Sequence, residues 1–90
     1  MLTIKYYSAF KKDYKKLKKR KYDISQLEIV IQLLADEKPL PARCRNHRLS
    51  GEFDHCWECH VAPDWLLIYA IDDNELILYL MRTGSHSDLF

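Results

Sequence analysis

The sequence predicts an α+β fold in a single domain covering residues 1–90: an N-terminal strand, a two-helix antiparallel hairpin, then a mainly antiparallel sheet of four to five strands. Three observations predict it. Apolar residues recur at helical spacing from Phe10 to Leu34. Short apolar runs then recur from Cys56 to Arg82, broken by turn formers. No helical pattern separates those later runs, so short connections rather than crossovers join them, which makes neighbours antiparallel. The helices should cover one face of the sheet and leave the other partly open.

Each element has its own signal. Leu2–Tyr7 is rich in β-formers and reads as the first strand. Ser8 is the expected cap of the helix that follows. Phe10, Tyr14 and Leu17 form one apolar stripe on it, and Lys11, Lys12, Lys15, Lys16, Lys18 and Lys19 cover the rest. The Lys21-Tyr22 link is short enough to fold the next helix back. That helix starts at Asp23, which has capping-box spacing to Gln26. Ile24, Leu27, Ile31 and Leu34 give its stripe, Val30 and Leu33 widen it, and Pro39 and Pro41 end it. Residues 42–51 read as a loop with a short strand at His47-Arg48-Leu49. Strands are expected at Cys56–Val61, Trp65–Ile71 and Glu75–Arg82, joined by turns at Pro63-Asp64 and Asp72-Asp73-Asn74. Gly84 breaks the last strand, leaving Ser85–Phe90 as a short tail.

Composition bounds the function classes. The chain is 48% hydrophobic and 12% aromatic, enough for a packed core and against disorder. No apolar run reaches the ~20 residues that span a bilayer, and the first residues lack a secretory pattern, so a cytoplasmic protein with reduced thiols is expected from its three cysteines. The net charge of +1 conceals a strong separation. Residues 1–22 hold nine basic residues and one acid, and residues 23–90 hold five basic residues and twelve acids. Such a field draws a polyanion to one surface.

Two constellations bear on chemistry. His47, His60, Asp64, Arg82 and His86 each fall near a strand end, or in the turn or tail beside one. Cleavage of RNA by its own 2′-hydroxyl needs a base, an acid and a cation. Histidine, with an unperturbed pKa of about 6.5, suits the first two roles. The planar fork of arginine suits a phosphorane. The bland alternative is five unrelated surface residues. The other constellation, Cys56-Trp57-Glu58-Cys59-His60, has the spacing of a haem attachment or half a zinc site. Haem attachment goes with export, zinc would need a second pair, and residues three apart on a strand diverge. No metal or cofactor is therefore expected. The lysine-rich helix is either a solvated face or a phosphate-tracking surface, with Lys11, Lys12, Lys15 and Lys16 as candidates, and Arg43, Arg45 and Arg48 extend that charge around His47. Trp65 and Phe90 are candidate base-stacking rings, although Trp65 read alone suits a core.

Four stretches carry a resemblance: Asn46-His47-Arg48-Leu49-Ser50-Gly51, Glu58-Cys59-His60-Val61, Pro63-Asp64-Trp65-Leu66-Leu67-Ile68-Tyr69, and Arg82-Thr83-Gly84-Ser85-His86-Ser87-Asp88-Leu89-Phe90. In this order they resemble the YafQ-type branch of the RelE/ParE toxin superfamily, over nearly the full chain. The resemblance implies the RelE-like microbial RNase fold and a type II toxin that cuts mRNA in the ribosomal decoding site (the A site). It implies inhibition by a co-expressed antitoxin, contact with operator DNA only through that antitoxin, no membrane, and no metal cofactor. It also implies products with cyclic 2′,3′-phosphate and 5′-hydroxyl ends. His47, His60, Asp64, Arg82 and His86 match the family's active-site positions, with His86 and Asp64 expected to share acid/base work. Arg82 would stabilise the phosphorane, and His47 and His60 would position the phosphate. Trp65 and Phe90 match positions tied to substrate placement or site integrity. Cys56 and Trp57 stand where relatives often carry an aromatic and an arginine. The competing expectation is a non-catalytic protein on the same fold, a gyrase-poisoning toxin or a co-repressor working with its antitoxin.

Overall fold

Thr3–Tyr6 forms strand β1, the first element of a computed structural model that describes residues 1–51 and 55–90. Helices α1 (Ser8–Lys19) and α2 (Ile24–Ala35) follow, then a 3₁₀ turn (Ala42–Cys44) and the short strand β2 (His47–Arg48). Strands β3 (Trp57–Ala62), β4 (Trp65–Asp72) and β5 (Ile77–Gly84) complete a five-stranded sheet, and a one-turn helix, α3 (His86–Leu89), ends the chain. The order across the sheet is β1-β5-β4-β3-β2. β1 runs parallel to β5, and the other three pairs are antiparallel.

The helices pack on one face, α1 along β5 and α2 over β3. Phe10, Leu17, Leu27, Val30 and Leu34 meet Cys59, Leu67, Tyr69, Leu78 and Leu80 there. Full burial of one such leucine or phenylalanine is worth about 1.5–3 kcal/mol, so this layer is the main stabilising contact. Leu66 and Ile68 alternate to the opposite face and are also fully buried.

Two irregularities interrupt the sheet. Ile68 pairs with Arg82 and Tyr69 with Leu80, so Met81 is one residue too many in β5. Simple alternation from Leu78 and Leu80 would turn Arg82 toward the helices. The bulge gives that direction to Thr83 and sends Arg82 to the other face. Regular pairing of β3 with β4 up to His60 sets it opposite Leu66, on the same face as Arg82, and a second register shift follows between His60 and Ala62. β1 stops opposite Leu80, so α1 rather than a strand flanks the last residues of β5.

Some local expectations change. Ser8 is the first helical residue and Tyr7 takes the cap position without a side-chain bond, because the backbone enters the helix one residue earlier. Asp23 does cap α2, accepting from the Ser25 amide at 3.2 Å. Glu75 lies in a turn rather than in β5, and Leu76 there has φ +56°. The expected tail is α3. Ser85 and Asp88 form a full capping box around it: the Ser85 amide donates to Asp88 Oδ2 at 3.0 Å, and the Asp88 amide donates to Ser85 Oγ at 3.2 Å.

Candidate active site

Cross-strand register builds the site on the face away from the helices. His47 sits opposite Glu58, Glu58 opposite Ile68, and Ile68 opposite Arg82. One row thus crosses four strands, roughly 14 Å at the usual strand spacing. The next row holds His60, Leu66 and Gly84. Buried Leu66 and Ile68 are the apolar floor, and polar side chains stand around it.

The imidazoles form a connected series. His47 Nδ1 donates to the Arg45 carbonyl oxygen at 2.8 Å, while its Nε2 lies 3.4 Å from Glu58 Oε1. Arg45 adopts the left-handed conformation (φ +47°), which turns its carbonyl to His47 at the cost that conformation imposes on a residue with a Cβ. Glu58 is buried, and the same oxygen stands 4.0 Å from His60 Nε2. His60 Nδ1 donates to the Pro63 carbonyl oxygen at 3.3 Å. The His60 and His86 ring centroids are 5.9 Å apart. His86 Nδ1 donates to Asp64 Oδ1 at 2.8 Å, and the His86 amide donates to the same oxygen at 3.2 Å. These bonds hold the Asp64 carboxyl below the usual carboxylate range.

Arg82 is clamped from α1. Its Nε donates to Asp13 Oδ2 at 2.7 Å and its Nη2 to Asp13 Oδ1 at 3.1 Å. The Thr83 amide donates to Asp13 Oδ2 at 3.1 Å, which satisfies a backbone group that β1 does not reach. Hydrogen bonding to Asp13 raises the guanidinium pKa further, despite partial burial. One helix turn beyond Leu17, Arg20 Nη1 donates to Asp88 Oδ2 at 2.9 Å. The Asp88 carboxyl falls to about 2, chiefly through the Ser85 amide and then Arg20.

The structure thus gathers His47, His60, Asp64, Arg82 and His86 on one face. Among the other expected contacts, Trp65 lies away from that face. Trp65 is 4% exposed and belongs to the core. Its Nε1 donates to Thr83 Oγ1 at 2.9 Å, Thr83 Oγ1 donates to the Leu66 carbonyl at 2.8 Å, and Tyr22 packs edge-on at 5.0 Å. A ring so enclosed cannot stack on a base; it supports the turn that carries Asp64. Phe90, at 64% exposed, stays at the surface beside α3. The four lysines split. Lys11 and Lys15 line a groove with Ile4, Tyr6, Phe10, Tyr14 and Ile31. Lys12 and Lys16 share an i, i+4, i+8 line with Arg20, on the flank nearer Asp13. Arg43, Arg45 and Arg48 are exposed around β2 at the far sheet edge, and Arg48 Nη2 lies 3.3 Å from His55 Nδ1.

Asp13, Glu58, Arg20 and Asp88 escaped the sequence reading. Asp13 had a signal: it is the sole acid among the first 22 residues and lies next to the apolar stripe. Glu58 had one too, two residues before His60 and therefore on its face of a strand. The Cys56–Cys59–His60 string is dispersed: Cys59 lies in the helix-side core, while Cys56 Sγ contacts Met81 Sδ at 3.4 Å. Among the described residues, no three His, Cys, Asp or Glu side chains are grouped as a metal ion would require.

A sequence profile for the family described as "Bacterial toxin of type II toxin-antitoxin system, YafQ" matches residues 2–90. The chain belongs to the YafQ family. The mRNA interferase toxin YafQ of Escherichia coli K12 is 39% identical over 88 residues, covering 97% of this chain and 94% of that YafQ. A metal-bound toxin from Helicobacter pylori superposes with a TM-score of 0.94 at 44% identity, over 100% of both chains. YafQ in the E. coli DinJ–YafQ complex superposes at 0.91 and 37% identity, over 100% of this chain and 99% of that one. The α+β fold of this chain is that of the YafQ structures, and it is a type II toxin by family.

Proposed function

We propose that this toxin is an endoribonuclease that cleaves mRNA in the ribosomal decoding site. The observation that carries the reading is the Asp64–His86 pair with the His60 ring 5.9 Å from His86, on the face that bears Arg82. Asp64 accepts the hydrogen bond from His86 Nδ1–H, which leaves Nε2 as the proton-exchanging atom and makes Asp64 the orienting member. His60 Nδ1 is likewise engaged by a carbonyl, so its Nε2, on the side of Glu58 Oε1 at 4.0 Å, is the atom left for the second transfer. One imidazole removes the 2′-hydroxyl proton, and the oxygen attacks the adjacent phosphorus. The other protonates the departing 5′-oxygen, giving a cyclic 2′,3′-phosphate and a 5′-hydroxyl. Arg82 retains three N–H groups beyond the two that hold Asp13, and these meet the charge of the phosphorane. His47, braced by Glu58, contacts the neighbouring phosphate.

The relatives support the same reading, one named an mRNA interferase and another solved with DinJ. A co-expressed antitoxin is the expected partner of this chain, and any contact with operator DNA would run through it. The groove between α1, α2 and β1, of about 750 Å³, offers an apolar floor and a rim of Lys11, Lys15 and Lys18. An acidic, amphipathic antitoxin segment fits that chemistry. Ribosomes place the activity in the cytoplasm.

The test is cleavage of mRNA on purified ribosomes, mapped at the 5′-hydroxyl ends. The wild-type chain should cut within translated codons. His86→Ala should lose at least about a hundredfold in rate with an unchanged melting temperature. Intact transcripts with the wild-type chain, or full cutting by His86→Ala, would overturn the assignment. DNA damage without cuts would point to a gyrase poison instead.

A further inference from the structure

α1 and its C-cap residue Arg20 hold the Arg82 and His86 side of the site from one line of side chains. Asp13 is 8% exposed, and its carboxylate receives Arg82 Nε, Arg82 Nη2 and the Thr83 amide. Arg20, seven residues on and so on the same helix face, donates to Asp88 of the capping box that seats His86. An arginine side chain has four rotatable bonds and loses much freedom when held. Arg82 is a third exposed and follows a bulge, so the sheet alone gives its guanidinium no fixed direction. Among the described residues, the side-on, two-point contact with Asp13 is what defines which N–H edge faces the substrate side.

We infer that Asp13 is a positioning residue for the reaction: its carboxylate aims the remaining N–H edge of Arg82 at the phosphate, so the helix that carries the basic surface also sets the transition-state cation. The inference rests on the ribonuclease reading above. It differs from a purely architectural role, in which Asp13 would only cap the edge of β5 through Thr83. Asp13→Asn separates the two, because an asparagine oxygen can still accept from the Thr83 amide yet cannot form the charged two-point clamp. An arginine so held is preorganised for the transition state rather than for ground-state binding.

Two measurements decide it. The first is the Arg82 Nε–H resonance in nitrogen-15-labelled protein, compared with Arg82→Lys for assignment. It should exchange slowly in the wild type and broaden or vanish in Asp13→Asn while the backbone spectrum is retained. The second is ribosome-dependent cleavage well below both melting temperatures. Asp13→Asn should lower kcat by about tenfold to a hundredfold with KM within about twofold. An unchanged Nε–H signal, an unchanged kcat, or a loss that vanishes on cooling would overturn the inference. Failure of the wild-type chain to cut RNA would instead fall on the function itself, and the resonance would still report whether the clamp exists.

Discussion

Asp64 and His86 are largely exposed, at 71% and 57% of their side chains. A side-chain hydrogen bond this exposed is screened by water and adds little to folding. Their alignment therefore has little to do with stability and suits a group that must meet a substrate. Asp88 is the contrasting carboxylate, partly covered and tied to Ser85 and Arg20. Its folded-state pKa is depressed, so its contribution is complete above the unfolded value of about 3.9 and is lost as pH falls toward about 2. Thermal melts from pH 6 to 2 should accordingly show Asp88→Asn below the wild type at the upper end and the two curves converging at the lower end. At this scale His47, His60, Asp64, Arg82 and His86 were legible as candidates from their residue types near strand ends and from the motifs that carry the resemblance. The sequence hid their supports. Asp13 and Glu58 look like surface acids until β5 and β3 bring Arg82, His47 and His60 to them.

The long elements were legible because their burial is periodic: α2 repeats at helical spacing, and Trp65–Asp72 is one unbroken apolar run apart from its end. The bulge at Met81 was not, since nothing in the residue itself marks an extra step in the ladder; only the pairing of Ile68 with Arg82 and Tyr69 with Leu80 reveals it. α3 was legible in principle through Ser85-His86-Ser87-Asp88, a serine followed three residues later by an acid, but it lies at a chain end with no apolar stripe. Gly84 joins β5 to α3 with little room. A Cβ added there would stand 3.0 Å from Asp88 Cβ and 3.1 Å from Asp88 Oδ2. Gly84→Ala should thus cost about 1–3 kcal/mol in a denaturant melt. Its effect on cleavage should exceed that of its stability, because the displaced turn carries His86.

Over the whole molecule, the charge separation noticed in the sequence becomes a division of surfaces. Lys11, Lys15 and Lys18 edge the apolar groove, whereas Lys12 and Lys16 follow Arg20 along the flank nearer the site. The two sets should separate in experiment. Substituting Lys12 and Lys16 by Ala should flatten the salt dependence of ribosome-dependent cleavage by up to about two in log–log slope. Substituting Lys11 and Lys15 should leave that slope alone and weaken capture by the antitoxin, read by titration of inhibition. Composition could announce the basic helix but not this partition, which depends on which side of α1 faces α2 and which faces β5.

The thiols supply a clock for the molecule's breathing. Cys44, Cys56 and Cys59 are 1%, 7% and 0% exposed, and burial pushes the Cys59 thiol up to about 12. At neutral pH an alkylating reagent finds almost no thiolate there in the closed chain. Labelling of Cys59 should consequently proceed at the pace of transient opening, orders of magnitude slower than in denaturant, and mass spectrometry of the alkylated peptide would time how often the layer between helices and sheet parts.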